Sequence, residues 1–294
     1  MMLPMDKAHD SPPSVLNASD HSRDSAGLQY IYPVVSRRAR GVSIGINLNT
    51  NNACNWACSY CQVPGLSRGG PPDIDLAVLR AELDDFLRTV LTGEFMVKRV
   101  PEGLRRLNDI AFSGNGEPTA SPSFPAAVDA VLDAVARQNI AGQLKLVVIS
   151  NGSHAAEPAV IAALARLAAH RGELWFKLDR GLAAGRRVCN GVDLPDHLIV
   201  ERLRAASAVI PTWVQTCLFS LDGVAPGDDE QTAYLELLVR ARRSGAKLAG
   251  VLLYSLARPS LQPDAERLAA LDQACLEQWA RPLRDAGLEV RISA

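Results

Sequence analysis

Short apolar runs rich in β-branched residues alternate along most of this chain with longer segments whose apolar residues recur at helical spacing. The short runs predict strands, and the longer segments predict helices. The predicted strands cover residues 42–47, 107–113, 144–150, 173–178, 213–219 and 247–254. The predicted helices between them cover residues 76–91, 124–137, 157–169, 197–207 and 230–243. A last helix over 264–286 and a short strand over 288–292 complete the pattern.

This alternation predicts an α/β protein with a parallel sheet. Six strand–helix units are too few for a closed (β/α)8 barrel, and an open doubly wound sheet fits the alternation equally well. The candidate chemistry decides between them, because polar or reactive segments follow five strands, at 54–61, 114–118, 151, 177–180 and 254–258. A TIM-type scaffold collects its site at the carboxyl ends of many strands, whereas an open sheet uses one or two. We therefore predict a partial, open (β/α)6 TIM-type barrel with a C-terminal helix–strand extension.

The chain divides into three predicted parts. Residues 1–28 are rich in Ser, Asp, Pro and Asn and lack periodic apolar positions, which predicts a disordered N-terminal tail. Residues 29–260 form the barrel domain, and 261–294 form a helix and strand packed on it. The N-terminus lacks the apolar core of a secretory signal, and no uninterrupted apolar run reaches about 18 residues. We expect a cytoplasmic protein with no membrane partner.

Composition and charge narrow the function classes. The 294 residues are 48% hydrophobic, which is ample for a packed core. The 31 basic and 32 acidic residues nearly cancel, so an overall basic field for non-specific nucleic-acid binding is absent, although a local basic patch is compatible with this balance. Six cysteines are too sparse for a disulfide scaffold. Three of them cluster, which indicates metal binding or redox chemistry in a reducing compartment.

The three clustered cysteines are Cys54, Cys58 and Cys61, with the spacing Cys-x3-Cys-x2-Cys. Thiolates at this spacing can fold onto one metal centre, and iron–sulfur cubanes are usually held by four thiolates. Three local ligands would leave one iron unclaimed and able to bind a substrate or cofactor. The pattern therefore predicts a reactive iron–sulfur site.

A structural zinc site is the alternative for this cysteine cluster. Zinc sites usually take four ligands, and Cys189, Cys217 or His154 could supply the fourth. In that case the chain is a non-catalytic zinc-binding module. Cys54 and Cys58 lie among polar loop residues, which argues against their being inert core cysteines.

A second motif, Phe-Ser-Gly-Asn-Gly-Glu-Pro at 112–118, ends the second predicted strand. With the cysteine cluster it makes the chain resemble the radical S-adenosylmethionine (radical SAM) enzymes over roughly residues 40–260. Their hallmark is Cys-x3-Cys-x-aromatic-Cys after the first strand of a partial (β/α)6 barrel, and Tyr60 supplies the aromatic residue. Their second strand ends in a Gly-Gly-Glu-like turn, which this chain matches with Asn115 interposed.

The resemblance implies a mechanism and its cofactors. Cys54, Cys58 and Cys61 would hold a [4Fe-4S] cluster whose open iron is chelated by the methionine part of S-adenosylmethionine (SAM). One electron, from a flavodoxin- or ferredoxin-like cellular donor, would release a 5′-deoxyadenosyl radical that abstracts hydrogen from the substrate. The cofactors would carry out the radical generation, and the protein would position and shield them. The resemblance thus implies an oxidoreductase-type radical enzyme.

The same resemblance assigns residues to SAM. Gly114 and Gly116 would let the backbone approach the ligand, and Glu117 would place a negative charge near its amine. Tyr60 would lie against adenine or simply cover the cluster. An ordinary strand-to-helix loop and a plain Asn-Gly turn are the alternatives for the segments at 114–118 and 150–152. The predicted cofactor-binding residues are Tyr60, Gly114, Asn115, Gly116, Glu117, Ser150, Asn151 and Gln215.

Basic residues near the later strand ends suggest a substrate class. Lys177, Arg180, Arg186, Arg187 and Arg258 would gather at the barrel mouth, where Arg in particular binds phosphate or carboxylate. We therefore predict an anionic substrate, with solvated loop arginines as the alternative. The candidate catalytic residues are Glu117, Lys177 and Arg258.

Several segments resemble one branch of the family, that of the tRNA wyosine-synthesis enzymes and uncharacterised bacterial iron–sulfur oxidoreductases. They are 175–179 (Trp-Phe-Lys-Leu-Asp), 214–216 and 254–259. The chain departs from the wyosine enzymes because it lacks a flavodoxin-like domain, a second cluster motif and a strongly basic surface. Two substrate classes stay open, RNA and a small anionic metabolite or partner-protein glycine. Cys217 is either a hydrogen donor in the cavity or a small core residue.

Overall fold

The computed structural model describes residues 15–16, 26–36 and 41–293. Most of the predicted tail, 1–28, lies outside the described residues. Within that segment, however, Leu16 is buried in the core, and its N–H donates to the carbonyl of Arg99 over 2.8 Å. Leu28 also packs against the core. At these positions the structure departs from the expected tail, because single apolar side chains find partners on the barrel.

The elements alternate between strand and helix as the sequence predicts. The strands are β1 Ile31–Ser36, β2 Gly41–Ile46, β3 Ala53–Cys54, β4 Ser67–Arg68, β5 Leu107–Phe112, β6 Lys145–Ser150, β7 Gly172–Lys177, β8 Thr212–Leu221, β9 Leu248–Ser255, β10 Leu268–Ala270 and β11 Val290–Ser293. The α-helices are α1 Leu76–Leu91, α2 Glu94–Arg99, α3 Phe124–Arg137, α4 Pro158–Ala168, α5 Ala183–Asn190, α6 Asp196–Ser207, α7 Asp228–Arg243 and α8 Gln273–Asp285. Short 3-10 turns lie at Glu102–Leu104, Pro118–Ala120 and Ala265–Arg267.

One mostly parallel sheet organises the molecule. Its strands run in the order β1-β2-β5-β6-β7-β8-β9-β11, with β10 paired to β8. All neighbours from β2 to β11 along this path are parallel, while β1 is antiparallel to β2 and β10 is antiparallel to β8. In the described part of the chain β1 and β11 are the two ends of this order. The sheet therefore forms the predicted partial TIM-type barrel, open between its edge strands.

The C-terminal segment consists of a helix and a strand, α8 and β11, as the sequence predicts. The strand β11 joins the sheet, because it pairs in parallel with β9, with Val290 opposite Val251. Together α8 and β11 form one more helix–strand unit of the same sheet. Trp279 and Leu283 of α8 are buried against the core, so the helix covers the sheet as the other helices do.

The helices are fixed by apolar faces and local caps. In α1 the buried residues recur at helical spacing, and the Asp75 side chain caps the helix by accepting hydrogen bonds from the N–H groups of Ala77 and Val78. The α3 helix buries an apolar face against α1 and α4. No helix in the described ranges is long and apolar enough to cross a membrane.

Candidate active site

The parallel strands surround one cavity of about 440 Å³, a volume typical of small-molecule sites. It extends from loops at the carboxyl ends of the strands down to Ser43 and Asp109 inside the barrel. The predicted site residues that line it are Cys54, Cys58, Tyr60, Cys61, Gly114, Asn115, Gly116, Glu117, Asn151, Lys177, Gln215 and Arg258. Of the predicted set, Ser150 lies behind the wall, where its hydroxyl donates to Glu117 over 2.7 Å. Residues predicted from separate motifs therefore meet in one place.

The cysteine loop is held by short strands and turns. Cys54 pairs with Arg68 across β3 and β4, and the Arg68 guanidinium donates to the carbonyl of Asn55 over 2.8 Å. The N–H of Cys61 donates to the carbonyl of Cys58 over 3.0 Å, which closes a tight turn. All three cysteines of this loop line the cavity.

Burial favours the neutral thiol at Cys54 and Cys58. Burial raises the pKa of Cys54 to about 11, although the N–H of Trp56, 3.5 Å from its sulfur, acts to lower it. Burial and the charge of Asp179 raise the pKa of Cys58 to about 12, against a lowering by the side chain of Asn190. Metal binding to such thiols releases their protons, so cluster assembly is coupled to deprotonation.

The donor set suits an iron–sulfur cluster. Within residues 15–16, 26–36 and 41–293, no three His, Cys, Asp or Glu side chains converge on a point where a single metal ion could bind. In a cubane each cysteine thiolate binds a different iron, so the ligands surround a cluster instead of converging on one ion. N–H groups face two of the sulfurs, those of Trp56 and Glu117 at Cys54 and that of Asn190 at Cys58. Such donors stabilise negatively charged sulfur.

Gly114 and Gly116 are required by the protein's own packing. A Cβ on Gly116 would lie 2.2 Å from the carbonyl oxygen of Ala53, in the cysteine loop. Gly114 has a φ of +148°, and a Cβ there would lie 2.4 Å from Oδ1 of Asn47. The same Asn47 oxygen accepts a hydrogen bond from the N–H of Asn115 over 3.1 Å. The glycines therefore let the loop at 114–118 lie directly against the cysteine loop.

Glu117 is a buried connector between two strand ends. Its Oε1 accepts hydrogen bonds from the N–H of Thr119 over 3.0 Å and from the hydroxyl of Ser150 over 2.7 Å. Its Oε2 accepts from the N–H of Asn151 over 2.6 Å. The side chain of Asn151 in turn donates to Asn55 over 2.8 Å. This carboxylate ties the ends of β5 and β6 together beneath the cysteine loop.

Among the residues that the structure describes, two buried acceptors in the cavity wall have no hydrogen-bond partner. They are Oδ1 of Asn115 and Oε1 of Gln215. Buried polar atoms in proteins nearly always find a hydrogen-bond partner. A ligand with N–H or O–H groups would satisfy both, so these residues fit the predicted binding of a polar nucleoside cofactor.

Tyr60 is fixed by its hydroxyl group. This hydroxyl donates to Asp179 over 2.6 Å, and the ring packs at 5.6 Å between centroids against Phe219. Asp179 also accepts from the N–H of Cys217 over 2.8 Å and from the side chain of Asn190 over 2.7 Å. The ring of Tyr60 is buried beside the cysteine loop, in a position that excludes water from it.

Lys177 brings a positive charge into the cavity. Its ammonium donates to the hydroxyl of Tyr254 over 3.1 Å and lies 5.0 Å from the ring centroid of Tyr60. Burial acts to lower the pKa of Lys177, whereas Tyr254 and the carboxylate of Asp179 act to raise it, and the pKa is raised on balance. Arg258 lines the same cavity. These two cations are the part of the predicted basic set that faces the cavity.

The other three cationic side chains do not line the cavity, which corrects the expectation of five cations at the mouth. Arg180 is buried and donates to the carbonyl of Cys217 over 3.1 Å. Arg186 is 1% exposed and pairs with Asp196 over 2.5 Å. Arg187 pairs with a carboxylate on the surface. The order of residues could not distinguish these structural roles, because each depends on partners brought close by folding.

The residues considered as a fourth zinc ligand have other surroundings. Cys189 and Cys217 are buried with Tyr60 and Phe219 in a small apolar cluster, although Cys217 also touches the cavity. Nδ1 of His154 lies 2.6 Å from Glu157. Burial raises the pKa of Cys217 to about 12, so its thiol is neutral.

Four polar residues that position the site are not among the predicted site residues. Asn47 accepts hydrogen bonds from the N–H groups of Asn49 and Asn115, and the side chain of Asn49 donates to the carbonyl of Ala53. Asp179 and Asn190 connect Tyr60 to Cys58. Asn47 ends the predicted strand at 42–47, and Asn49 and Asp179 come just after predicted strands, so these positions gave a usable signal. Asn190 had none, because it ends a helix that the periodicity does not predict.

Comparisons with known proteins identify the fold. No family model and no curated protein matches the chain. The chain is similar to a structure of TYW1 with a lysine–pyruvate adduct bound, at 18% identity and a TM-score of 0.54, over 84% of this chain and 74% of that chain. It is also similar to a radical SAM methyltransferase from Sphaerobacter thermophilus, at 15% identity and a TM-score of 0.59, over 89% and 68% of the two chains. The chain therefore has the fold of a radical SAM enzyme.

Proposed function

We propose that this chain is a radical SAM enzyme that holds a [4Fe-4S] cluster on Cys54, Cys58 and Cys61. The observation that carries the proposal is the meeting of this cysteine loop with the loop at 114–118 over one cavity. Unpartnered acceptors in the wall and N–H groups aimed at the sulfurs support a polar cofactor beside an anionic cluster. The fold shared with a radical SAM methyltransferase agrees with it.

Cys54, Cys58 and Cys61 would hold the cluster, which would supply one electron for the reductive cleavage of SAM and so for hydrogen abstraction from the substrate. The residues of the chain bind, orient and shield. Asn115 and Gln215 would offer oxygens to N–H or O–H groups of the cofactor. Glu117 holds in place the strand ends next to Asn115, through Thr119, Ser150 and Asn151. Trp56 and Tyr60 are buried beside the cysteines and exclude water, which limits side reactions of a radical.

The substrate that we propose is a small anionic molecule. Lys177 and Arg258 line the cavity and supply positive charge where such a substrate would meet the radical. The Lys177 ammonium, held by Tyr254, would act on the substrate by binding and orientation. The electron would come from a flavodoxin- or ferredoxin-like donor in the cytoplasm.

The alternative is a tRNA-modifying activity of the wyosine type. It is suggested by the similarity of this chain to TYW1. Phosphate neutralisation by basic side chains drives RNA binding and makes it steeply salt-dependent. This chain has a net charge of −1, and Arg186 and Arg187 are paired with carboxylates. Those features favour the small substrate.

The test is a cleavage assay on the anaerobically reconstituted chain. Dithionite and SAM are added, and 5′-deoxyadenosine is measured by chromatography. We expect formation of this nucleoside by the wild type and its loss in Cys58→Ala, with Cys275→Ala as a control because Cys275 is exposed and remote from the cavity lining. A colourless chain containing tightly held zinc, or an active Cys58→Ala variant, would refute the proposal.

A further inference from the structure

The C-terminal end of α5 lies against the cysteine loop. The N–H of Ala57 donates to the carbonyl of Asn190 over 3.0 Å, and the N–H of Ser59 donates to the carbonyl of Cys189 over 2.8 Å. Gly191, with a φ of +62°, ends the helix at this point. Because Cys58 lies between the two donors, these backbone contacts fix the end of the helix relative to its sulfur.

The side chain of Asn190 reaches that sulfur. Its Nδ2 lies 3.3 Å from Sγ of Cys58 and 2.7 Å from Oδ2 of Asp179. A carboxylate only accepts hydrogen bonds, so the NH2 group of the amide must face Asp179. The two hydrogens of one nitrogen therefore point to the carboxylate and to the sulfur. The hydrogen bond to Asp179 therefore determines which way round the Asn190 amide lies.

Asp179 is itself held in place. It is 1% exposed, and its other hydrogen bonds come from the Tyr60 hydroxyl over 2.6 Å and the Cys217 N–H over 2.8 Å. Asn190 is also 1% exposed. A buried network with all its members paired is rigid, and its hydrogen bonds are stronger than those in water. Burial and the hydrogen bond to Asp179 therefore hold the amide in place beside Cys58.

We propose that Asn190 is a positioning residue that raises the reduction potential of the cluster by donating a hydrogen bond to the Cys58 sulfur. This inference rests on the proposed function. Reduction adds negative charge that is shared by the ligand sulfurs, and an N–H donor stabilises the more negative form. Asp179 acts one step further out, by aiming the amide. The cluster then accepts its electron more readily than it would on an unassisted thiolate.

The test compares reduction potentials of reconstituted clusters. Asn190→Leu keeps the approximate size and removes the donor, and Asn190→Ala removes it without adding bulk. Ser59→Ala is the matched control, because the Ser59 hydroxyl donates to the carbonyl of Cys189 over 3.2 Å at the same helix end without touching the sulfur. Anaerobic titration followed by EPR gives each midpoint potential.

We expect both Asn190 variants to assemble the cluster and to be harder to reduce. At a fixed potential the ratio of reduced to oxidised cluster should fall about tenfold, which is about 59 mV for one electron. Ser59→Ala should keep the wild-type value. Unchanged potentials in both Asn190 variants, an equal shift in Ser59→Ala, or failure of both Asn190 variants to hold a cluster would overturn the inference. A wild-type chain without a cluster would overturn the proposed function itself.

Discussion

Glu117 and Asp179 are buried carboxylates on either side of the cysteine loop. Each accepts hydrogen bonds from the backbone and from side chains on other elements. Burying a charged group is costly unless such partners compensate for lost water. At the scale of single residues, these two carboxylates therefore have other parts of the protein as their main hydrogen-bond partners. Their removal should lower the free energy of unfolding.

Glu117→Gln should destabilise the fold by about 2–4 kcal/mol, because an amide cannot accept from all the donors that surround this carboxylate. The free energy of unfolding from urea denaturation measures the effect. Glu94→Gln is the matched control, since Glu94 forms an exposed pair with Lys98 and its loss should leave stability near the wild-type value. Equal stability of Glu117→Gln and the control would contradict the connector role.

Gly116→Ala should lower stability by about 1–3 kcal/mol and reduce the iron content after reconstitution. The new Cβ would overlap the carbonyl oxygen of Ala53, a backbone atom of the cysteine loop that cannot move aside cheaply. Gly70→Ala is the control, because a Cβ there meets open space. Thermal unfolding and iron analysis of both variants distinguish a local clash from a general effect of replacing glycine.

Asp109 provides a pH-dependent prediction. Burial raises its pKa above the ordinary 3.8, so the folded chain binds this proton more tightly than the unfolded chain. The wild type therefore loses stability as the pH rises from 3.8 through the raised pKa. Asp109→Asn retains an acceptor for the Ser43 hydroxyl and avoids this loss, so its stability relative to the wild type should increase across that window.

Urea denaturation at several pH values measures this difference. Asp222→Asn gives the opposite sign, because the hydrogen bond from Arg267 lowers the pKa of Asp222 and favours the folded state above that pKa. The relative stability of Asp222→Asn should therefore fall as the pH rises from the lowered pKa of Asp222 to the ordinary 3.8, below the window of Asp109. A pH-independent difference between Asp109→Asn and the wild type would be inconsistent with a raised pKa.

At the scale of elements, the segment 256–262 after β9 closes over the cysteine loop, and we call it the closing loop. The Ser260 hydroxyl donates to the carbonyl of Ser59 over 2.7 Å. The Gln262 side chain donates to the carbonyls of Cys61 over 3.1 Å and Val63 over 2.9 Å. Because Arg258 of the same segment lines the cavity, the closing loop connects this part of the cavity wall to the cysteine loop.

Gln262→Ala should leave the fold intact and make the cluster more labile, because the end of the cysteine loop loses two hydrogen bonds. The rate of iron release to a chelator after reconstitution measures this, and we expect an increase of several-fold. Gln143→Ala is the control, since Gln143 makes a comparable bond to the carbonyl of Asn139 on the surface. An equal release rate in both variants would show that the closing loop does not secure the cluster.

The sequence predicted best those elements whose signal is local. The bounds of α1 and α3 agree with the predicted ranges because both helices have apolar residues at helical spacing. In addition, Asp75 caps the start of α1, and a proline lies in the first turn of α3. The α5 helix was missed, since its eight residues, Ala-Ala-Gly-Arg-Arg-Val-Cys-Asn, contain no apolar stripe. Edge strand β1 contains Pro33, a residue that weakens strand prediction but is tolerated at a sheet edge.

At the site, too, the features with a local sequence signal were predicted, and those that depend on distant positions were not. The cysteine loop and the segment at 114–118 are contiguous motifs, and the structure brings both to one cavity. The bond between Asn190 and Cys58 spans 132 positions, and the pairing of Arg186 with Asp196 depends on where α5 and α6 lie. Such contacts form only in the packed fold. The sequence alone therefore could not predict that the Asn190 amide contacts the Cys58 sulfur, or that three of the five predicted cations do not line the cavity.

At the scale of the whole molecule, a parallel sheet curved into an open barrel places separate strand ends around one interior. Strands β1 and β11 are the two ends of its strand order in the described residues. The near-zero net charge means that positive charge in the cavity comes from individual side chains instead of a general field. Within this architecture we propose that Cys54, Cys58 and Cys61 hold a [4Fe-4S] cluster and leave one of its irons open.

The most direct test of that claim is the EPR spectrum of the anaerobically reconstituted, dithionite-reduced chain, recorded before and after addition of SAM. We predict the signal of a reduced [4Fe-4S] cluster and a change in that signal when SAM is added, because the open iron gains new ligands. A spectrum that SAM leaves unchanged, or a chain that assembles no cluster, would contradict the account.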